Sequence, residues 1–108
     1  MPQKLADGLR QRGATSCVIY GDMDLGAILY RVLTQSDLPV HGFVARDICS
    51  ETRCGQKILP MDQYKNVSDE AVIVLHYDFM EKIVRDLHFL GCKGAIVSVK
   101  ELVESIAP

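Results

Sequence analysis

No apolar run in the chain approaches the roughly 20 residues needed to span a bilayer. The segment Met1 to Arg12 is polar and lacks the apolar core of a secretory signal. Neither sign of charge dominates: 12 basic residues against 14 acidic ones leave a formal net charge of −2, which argues against nucleic acid as a general partner. There is no charged tail, no low-complexity stretch, no internal repeat and no linker. Together these absences predict a cytoplasmic protein without a membrane span. What remains is 108 residues, 48% hydrophobic and 24% charged, the composition of an ordinary globular domain. That length suits one domain, residues 1–108, and excludes a separate substrate domain.

Cysteine is sparse as well. Cys17 and Cys92 lie in or beside apolar runs, where a free thiol packs as a small hydrophobe. Without a signal segment, a disulfide framework is not expected. Cys49 and Cys54 share a C-x4-C spacing at the loose end of zinc-ligand spacing. His41 is the nearest histidine, and no second Cys or His pair follows, so no metal site is expected.

Short apolar runs alternate with helical periods along the chain. A short helix is predicted over residues 3–12 from Leu5, Ala6 and Leu9, with Gly13 closing it. Cys17–Tyr20 is an uninterrupted apolar run, the pattern of a strand buried on both faces. From Asp24 the period changes: Leu25, Ile28, Leu29, Val32 and Leu33 form one helical stripe. Val40–Ala45 reads as a second strand, 46–56 as a loop, and Ile58-Leu59 as a very short third strand. Pro60 then suits the first turn of a short helix reaching about Tyr64. Ala71–Leu75 is the strongest strand, β-branched and continuous. Asp78 and Glu81 have the spacing of a capping box ahead of the stripe Met80, Ile83, Val84, Leu87 and Leu90, which Gly91 ends. Ala95–Val97 is a last strand. Ser98 and Glu101 repeat the capping box before a helix with Leu102, Val103 and Ile106 facing inward.

Strands separated by helices imply an α/β fold: a small, doubly wound parallel sheet of Rossmann-like type. With the first strand central, the expected strand order is 3-2-1-4-5. Ligands in such sheets bind at the carboxyl ends of the strands, beside the point where the order reverses. That places three segments together. Gly21-Asp22-Met23-Asp24-Leu25-Gly26 stands where a G-x-G-x-x-G loop would stand. Gly21 permits the tight turn and Gly26 a close helix–strand approach. The middle glycine is replaced by Met23, which is expected to fill the space a pyrophosphate would use. Asp22 and Asp24 add negative charge. The loop also reads as a plain βα turn with Asp24 as helix N-cap.

Arg46-Asp47 follows the second strand. Asp47 sits at the offset of a ribose-binding acid, and Arg46 could meet a phosphate; the pair also reads as a surface ion pair. His76-Tyr77 follows the fourth strand, and His76 could donate or accept a proton. No nucleophile stands beside it, and Cys17 is expected inside the sheet, so no catalytic residue is assigned. His88 is expected on an outer helix face and His41 at a strand start, neither with partners at metal spacing.

The stretches Val18-Ile19-Tyr20-Gly21 with Gly26, Val40-His41-Gly42-Phe43-Val44, Gly55-Gln56-Lys57-Ile58-Leu59-Pro60, Ala71–Leu75, and Leu87-x-x-Leu90-Gly91 running into Ala95-Ile96-Val97 come in a familiar order. The chain resembles the small Rossmann-like N-terminal domain of bacterial sugar O- and N-acyltransferases, which act on sialic acid or amino-sugar nucleotides. Similar domains open membrane-associated nucleotide-sugar dehydratases and occur in sugar C-methyltransferases. The resemblance implies a nucleotide sugar held near the glycine loop and a place in polysaccharide biosynthesis. In the acyltransferases the catalytic His and the acetyl-CoA site belong to a following β-helix of hexapeptide repeats. No such repeats exist here, so acyl transfer is not implied. The family's acidic pair after the second strand is matched partly, as Arg46-Asp47.

These readings predict a non-catalytic module that binds a nucleotide or nucleotide sugar through a degenerate glycine loop. The cofactor, if any, is not specified. The alternative is a ligand-free domain of the same fold serving protein–protein association; a small enzyme built on His76 is a third reading. A homo-oligomer, most simply a dimer, is expected from the thin cover at Ile58-Leu59 and over the last helix, where Val99 is expected to be left outside.

Overall fold

Uninterrupted β-branched runs cannot face water on either side, and here each lies between two helical layers. The computed structural model describes residues 2–46, 52–66, 69–76 and 78–106. The elements in chain order are α1 (Pro2–Arg10), β1 (Ser16–Tyr20), α2 (Asp24–Leu33), β2 (Val40–Ala45), β3 (Thr52–Arg53), β4 (Gln56–Pro60), a 3-10 turn (Met61–Gln63), β5 (Glu70–Val74), α3 (Met80–Phe89), β6 (Ile96–Ser98) and α4 (Val99–Ile106). No helix among the described residues is long and apolar enough to cross a membrane.

The sheet has six strands in the order β3-β4-β2-β1-β5-β6. It is mixed, which corrects the expected five-stranded parallel sheet of order 3-2-1-4-5. β4, β2, β1, β5 and β6 pair in parallel, whereas β3 pairs antiparallel with β4 at the edge. The physical reason is a hairpin inside the segment expected to be a loop. Cys54 (φ 53°) and Gly55 (φ 75°) both adopt left-handed backbone. Two such residues make the tight hairpin turn whose twist matches paired strands.

The two faces of the sheet are covered unequally. Cys17 and Ile19 of β1 point into a core with Leu5 and Leu9 of α1, Leu29 and Leu33 of α2, Phe43, Ile73 and Leu102 of α4. Val18 and Tyr20 point the other way, to Val44, Val72, Val74, Met61 of the 3-10 turn, and Ile83 and Leu87 of α3. Three helices therefore cover one face, and one helix with a short turn covers the other.

Several expected helix details change. α2 turns its Gly26 edge inward, and Leu29 and Leu33 are buried while Leu25 and Ile28 are exposed. The cause is Gly26: a Cβ there would meet Leu75 Cδ1 at 3.0 Å and Phe43 Cε1 at 3.3 Å. Tyr30 completes this face by stacking on Phe43, ring centroids 5.4 Å apart. The N-cap of α2 is Met23, not Asp24; it makes no side-chain cap bond, and Asp24 occupies the first turn. α3 begins at Met80 rather than Asp78, with Phe79 at the cap and no capping box. Leu90, placed in the α3 stripe, is exposed at the helix end. The last helix does form its cap, the Glu101 N–H donating to Ser98 Oγ at 3.0 Å. There Val103 is the exposed residue, and Val99 packs against the three-helix core.

Candidate functional site

β1 and β2 end side by side, and Gly21 lets the chain leave β1 abruptly. Its φ of 134° is open to glycine, and its N–H donates to the Val44 carbonyl at 2.7 Å. A Cβ at Gly21 would lie 3.2 Å from Leu75 Cβ and 3.3 Å from His76 Nε2. Above this corner is a crevice of about 470 Å³ between the strand ends and α3. It is lined by Tyr20, Gly21, Asp22, Ala45, Arg46 and His76 from the strand ends, and by Phe79 at the cap of α3 with Lys82, Ile83 and Asp86 of that helix.

Of the residues placed at the site from sequence, Gly21, Asp22, Arg46 and His76 meet here. Met23, Asp24, Leu25 and Gly26 do not line the crevice. Met23, expected to fill the phosphate space, has extended backbone at the N-cap of α2 and is 38% exposed. Asp47 and Tyr77 lie outside the described residues, as does Cys49. Lys82, Asp86 and Phe79 were missed. The signal for them was present: positions 79, 82, 83 and 86 follow helical spacing, one strip round from the apolar stripe.

The charge balance also departs from expectation. Asp22 is buried, its side chain 1% exposed, and Arg53 of β3 holds it. Arg53 Nε and Nη2 both donate to Asp22 Oδ1, at 3.0 and 2.8 Å, and Nη1 donates to Asp24 Oδ1 at 3.3 Å. The hydrogen bond to Asp22 comes first among the contacts that keep the Arg53 guanidinium charged. One cation from the hairpin thus engages both acids of the glycine loop. Arg46 Nη1 donates to Asp86 Oδ2 of α3 at 3.3 Å, a solvent-facing pair. Among the described residues Lys82 has no ion-pair partner.

Several chemistries find no support in this arrangement. His76 lies against Gly21 with no hydrogen-bond partner among the described residues, so no carboxylate orients it as a base. The Gly21 amide is engaged by Val44, so a phosphate here would be met by Arg46 and Lys82 side chains rather than by that amide. Burial pushes the Cys17 thiol up to about 12 and raises that of Cys92, which keeps both protonated and unreactive. Cys54 is half-buried, its Sγ 3.9 Å from the Ala27 carbonyl. Among the described residues no three His, Cys, Asp or Glu side chains gather to hold a metal ion.

Comparison of the chain with protein-family models, with curated proteins and with solved structures finds no match in any of the three. The resemblance to the sugar-acyltransferase domains therefore rests on the residues quoted for it.

Proposed function

We propose that the chain binds a phosphate-bearing nucleotide or nucleotide sugar in the crevice above Gly21, without catalysis of its own. One observation carries the reading: the crevice brings Arg46, Lys82 and the exposed ring of Phe79 around the ends of β1 and β2, while Arg53 neutralises Asp22. Arg46 and Lys82 supply donors for a phosphate. Phe79, 63% exposed at the mouth, offers a flat apolar face to a base or sugar. A volume of about 470 Å³ suits a ligand of that size. The reading takes β4, β2, β1, β5 and β6 as the doubly wound, Rossmann-like core, with β3 an addition to its edge.

Calorimetric titration with UDP, UDP-N-acetylglucosamine, AMP and NAD tests the proposal. At least one should bind saturably, and Arg46→Gln and Lys82→Gln should each weaken it by about tenfold, the worth of one charge-assisted hydrogen bond. Absence of heat and of any melting-temperature shift with all four would overturn it.

A second reading, association with another copy or another protein, is favoured by Phe89. It stands 90% exposed at the end of α3, beside the exposed Leu90. Two adjacent apolar side chains in water are the beginning of an interface.

A further inference from the structure

The end of the sheet opposite the crevice holds a second polar constellation, in which one strand departs from its regular alternation. Cys17 pairs with Val40 and Ile19 with Phe43, so Val18 alone faces both His41 and Gly42. This is a β-bulge, and Gly42 takes it up with a φ of 118°. Its effect is to re-aim a side chain. Val40 and Phe43 both pack toward the three-helix core. His41 is turned to the other face, beside Val18 and the first residue of β5, Glu70.

Glu70 is buried there with its carboxylate fully engaged. Tyr64 Oη donates to Oε1 at 2.6 Å, Ser16 Oγ donates to Oε2 at 3.3 Å, and His41 Nδ1 makes a close contact with Oε2. Asn66 Nδ2 donates to Tyr64 Oη at 2.7 Å. Burial, then the bond to Glu70, raises the Tyr64 phenol and keeps it a donor. With Nδ1 on Glu70, the opposite edge of the imidazole, Nε2, is left for the outside, and the His41 side chain is 56% exposed.

His41, Tyr64 and Glu70 line a cavity of about 370 Å³ with Lys57, Gln63 and Lys65. No residue of this cavity lines the crevice above Gly21. Among the described residues neither lysine has an ion-pair partner, and Glu70 is the sole carboxylate in the lining. Anchoring the 3-10 turn accounts for Tyr64, Asn66 and Glu70. It does not account for a bulge that turns His41 outward into a lining shared with two lysines.

We propose that this cavity is a second binding site, for a small phosphate-bearing anion held by Lys57 and Lys65 and, when the imidazole carries a proton on both nitrogens, by the His41 Nε2–H. Cations on two elements around one concavity match a multiply charged, multi-oxygen ion better than a single carboxylate. Glu70 fixes the imidazole, because both of its oxygens are already engaged, Oε1 by Tyr64 and Oε2 by Ser16 and His41.

The test is a titration of the labelled protein with inorganic phosphate and, separately, with glycerol phosphate, at constant ionic strength set with chloride. The His41 ring and the Lys57 and Lys65 amides are followed by NMR. Saturable shifts at these positions are expected. The double variant Lys57→Gln/Lys65→Gln, which touches only solvent-facing charges, should weaken binding by about tenfold or more. Arg46→Gln/Lys82→Gln, at the other end of the sheet, should leave it unchanged, which separates this site from the nucleotide reading. Tighter binding of glycerol phosphate assigns the ester, tighter binding of inorganic phosphate the free ion. No saturable shift, or a shift indifferent to the lysine pair, overturns the site. His41→Gln is the weaker variant for this purpose, since it also removes one of the three side chains that engage the buried Glu70.

Discussion

Replacing Arg53 by leucine isolates what the hairpin does for the glycine loop. Arg53 makes two hydrogen bonds to one oxygen of Asp22, whose side chain is 1% exposed. Leucine keeps much of the apolar volume and removes the cation, so the Asp22 carboxylate loses the guanidinium in a place water hardly reaches. Removing one member of a buried pair costs about 3–5 kcal/mol. Arg53 is itself 17% exposed, and partial solvent access brings the expectation down to about 2–3 kcal/mol. For a domain of this size that is a fall in Tm of roughly 10–20 °C, read by urea and thermal unfolding. Asp22→Asn placed on Arg53→Leu should recover part of the loss, since a neutral amide needs no counter-charge, and Asp22→Asn alone should cost less than Arg53→Leu. Nucleotide binding should fall in Arg53→Leu and return in the double variant. A change in stability within about 0.5 kcal/mol for Arg53→Leu, the range of an ordinary surface substitution, would refute the argument that the hairpin arginine neutralises the loop.

Gly21→Ala should destabilise by about 2 kcal/mol or more, because φ 134° is closed to alanine and Leu75 Cβ stands 3.2 Å from the new methyl. Gly94→Ala should be worse, since its Cβ would sit 1.9 Å from the Glu70 carbonyl oxygen; both are read as urea midpoints. In the native protein Cys17 should resist maleimide until unfolding, while Cys54 reacts, as peptide mass mapping would show. The buried Cys17 keeps its proton up to about 12 against an ordinary 9.0, so the folded state holds a proton that the unfolded chain releases. Stability should therefore decline as pH rises through that window, and Cys17→Ala should flatten part of the decline; an unchanged slope would remove Cys17 from the account. Light scattering after size exclusion should give a mass above the 12.0 kDa of one chain, falling with dilution, and Phe89→Ser should return it to 12.0 kDa. A wild-type mass of one chain at every concentration would refute association through this patch.

β1 and β5 were legible in the sequence because burial on both faces leaves an uninterrupted apolar run, as in Val72-Ile73-Val74, and β2 through its apolar end Phe43-Val44-Ala45. α4 was legible in its cap, because Ser98 and Glu101 carry a local pattern that nothing else contests. β3 was not: a strand of two residues has no period, and its turn puts Cys54 where glycine or asparagine is the usual signal. The capping box at Asp78 and Glu81 failed because the chain was still in a turn there and α3 started at Met80. At the site, the positional rule for strand ends found Gly21, Asp22, Arg46 and His76. It could not find Lys82 or Phe79, since they come from α3 and its cap rather than from a strand end, and only their helical spacing beside Ile83 pointed to them. Nor could it find Arg53, whose meeting with Asp22 depends on the hairpin. The stripe of α2 was misread toward Leu25 and Ile28 because Gly26, which draws the helix onto Phe43 and Leu75, has no hydropathy of its own.

The bulge at Gly42 makes β2 two strands in one. Residues 43–45 obey one inside–outside alternation and carry it to Arg46 at the crevice, whereas residues 40–41 obey the opposite one. Deleting Gly42 would bring both halves into a single frame with Val40, Phe43 and Ala45 toward the layer beneath α1 and α2 and His41 and Val44 toward the other side, the faces they hold now. The extra residue sits between the two ends of the strand, where β1 offers one residue against two. A one-residue change of length near 41–42 can be taken up there without moving Val44 or Arg46. The two ends of the sheet can therefore diverge in sequence independently, each answering to its own chemistry.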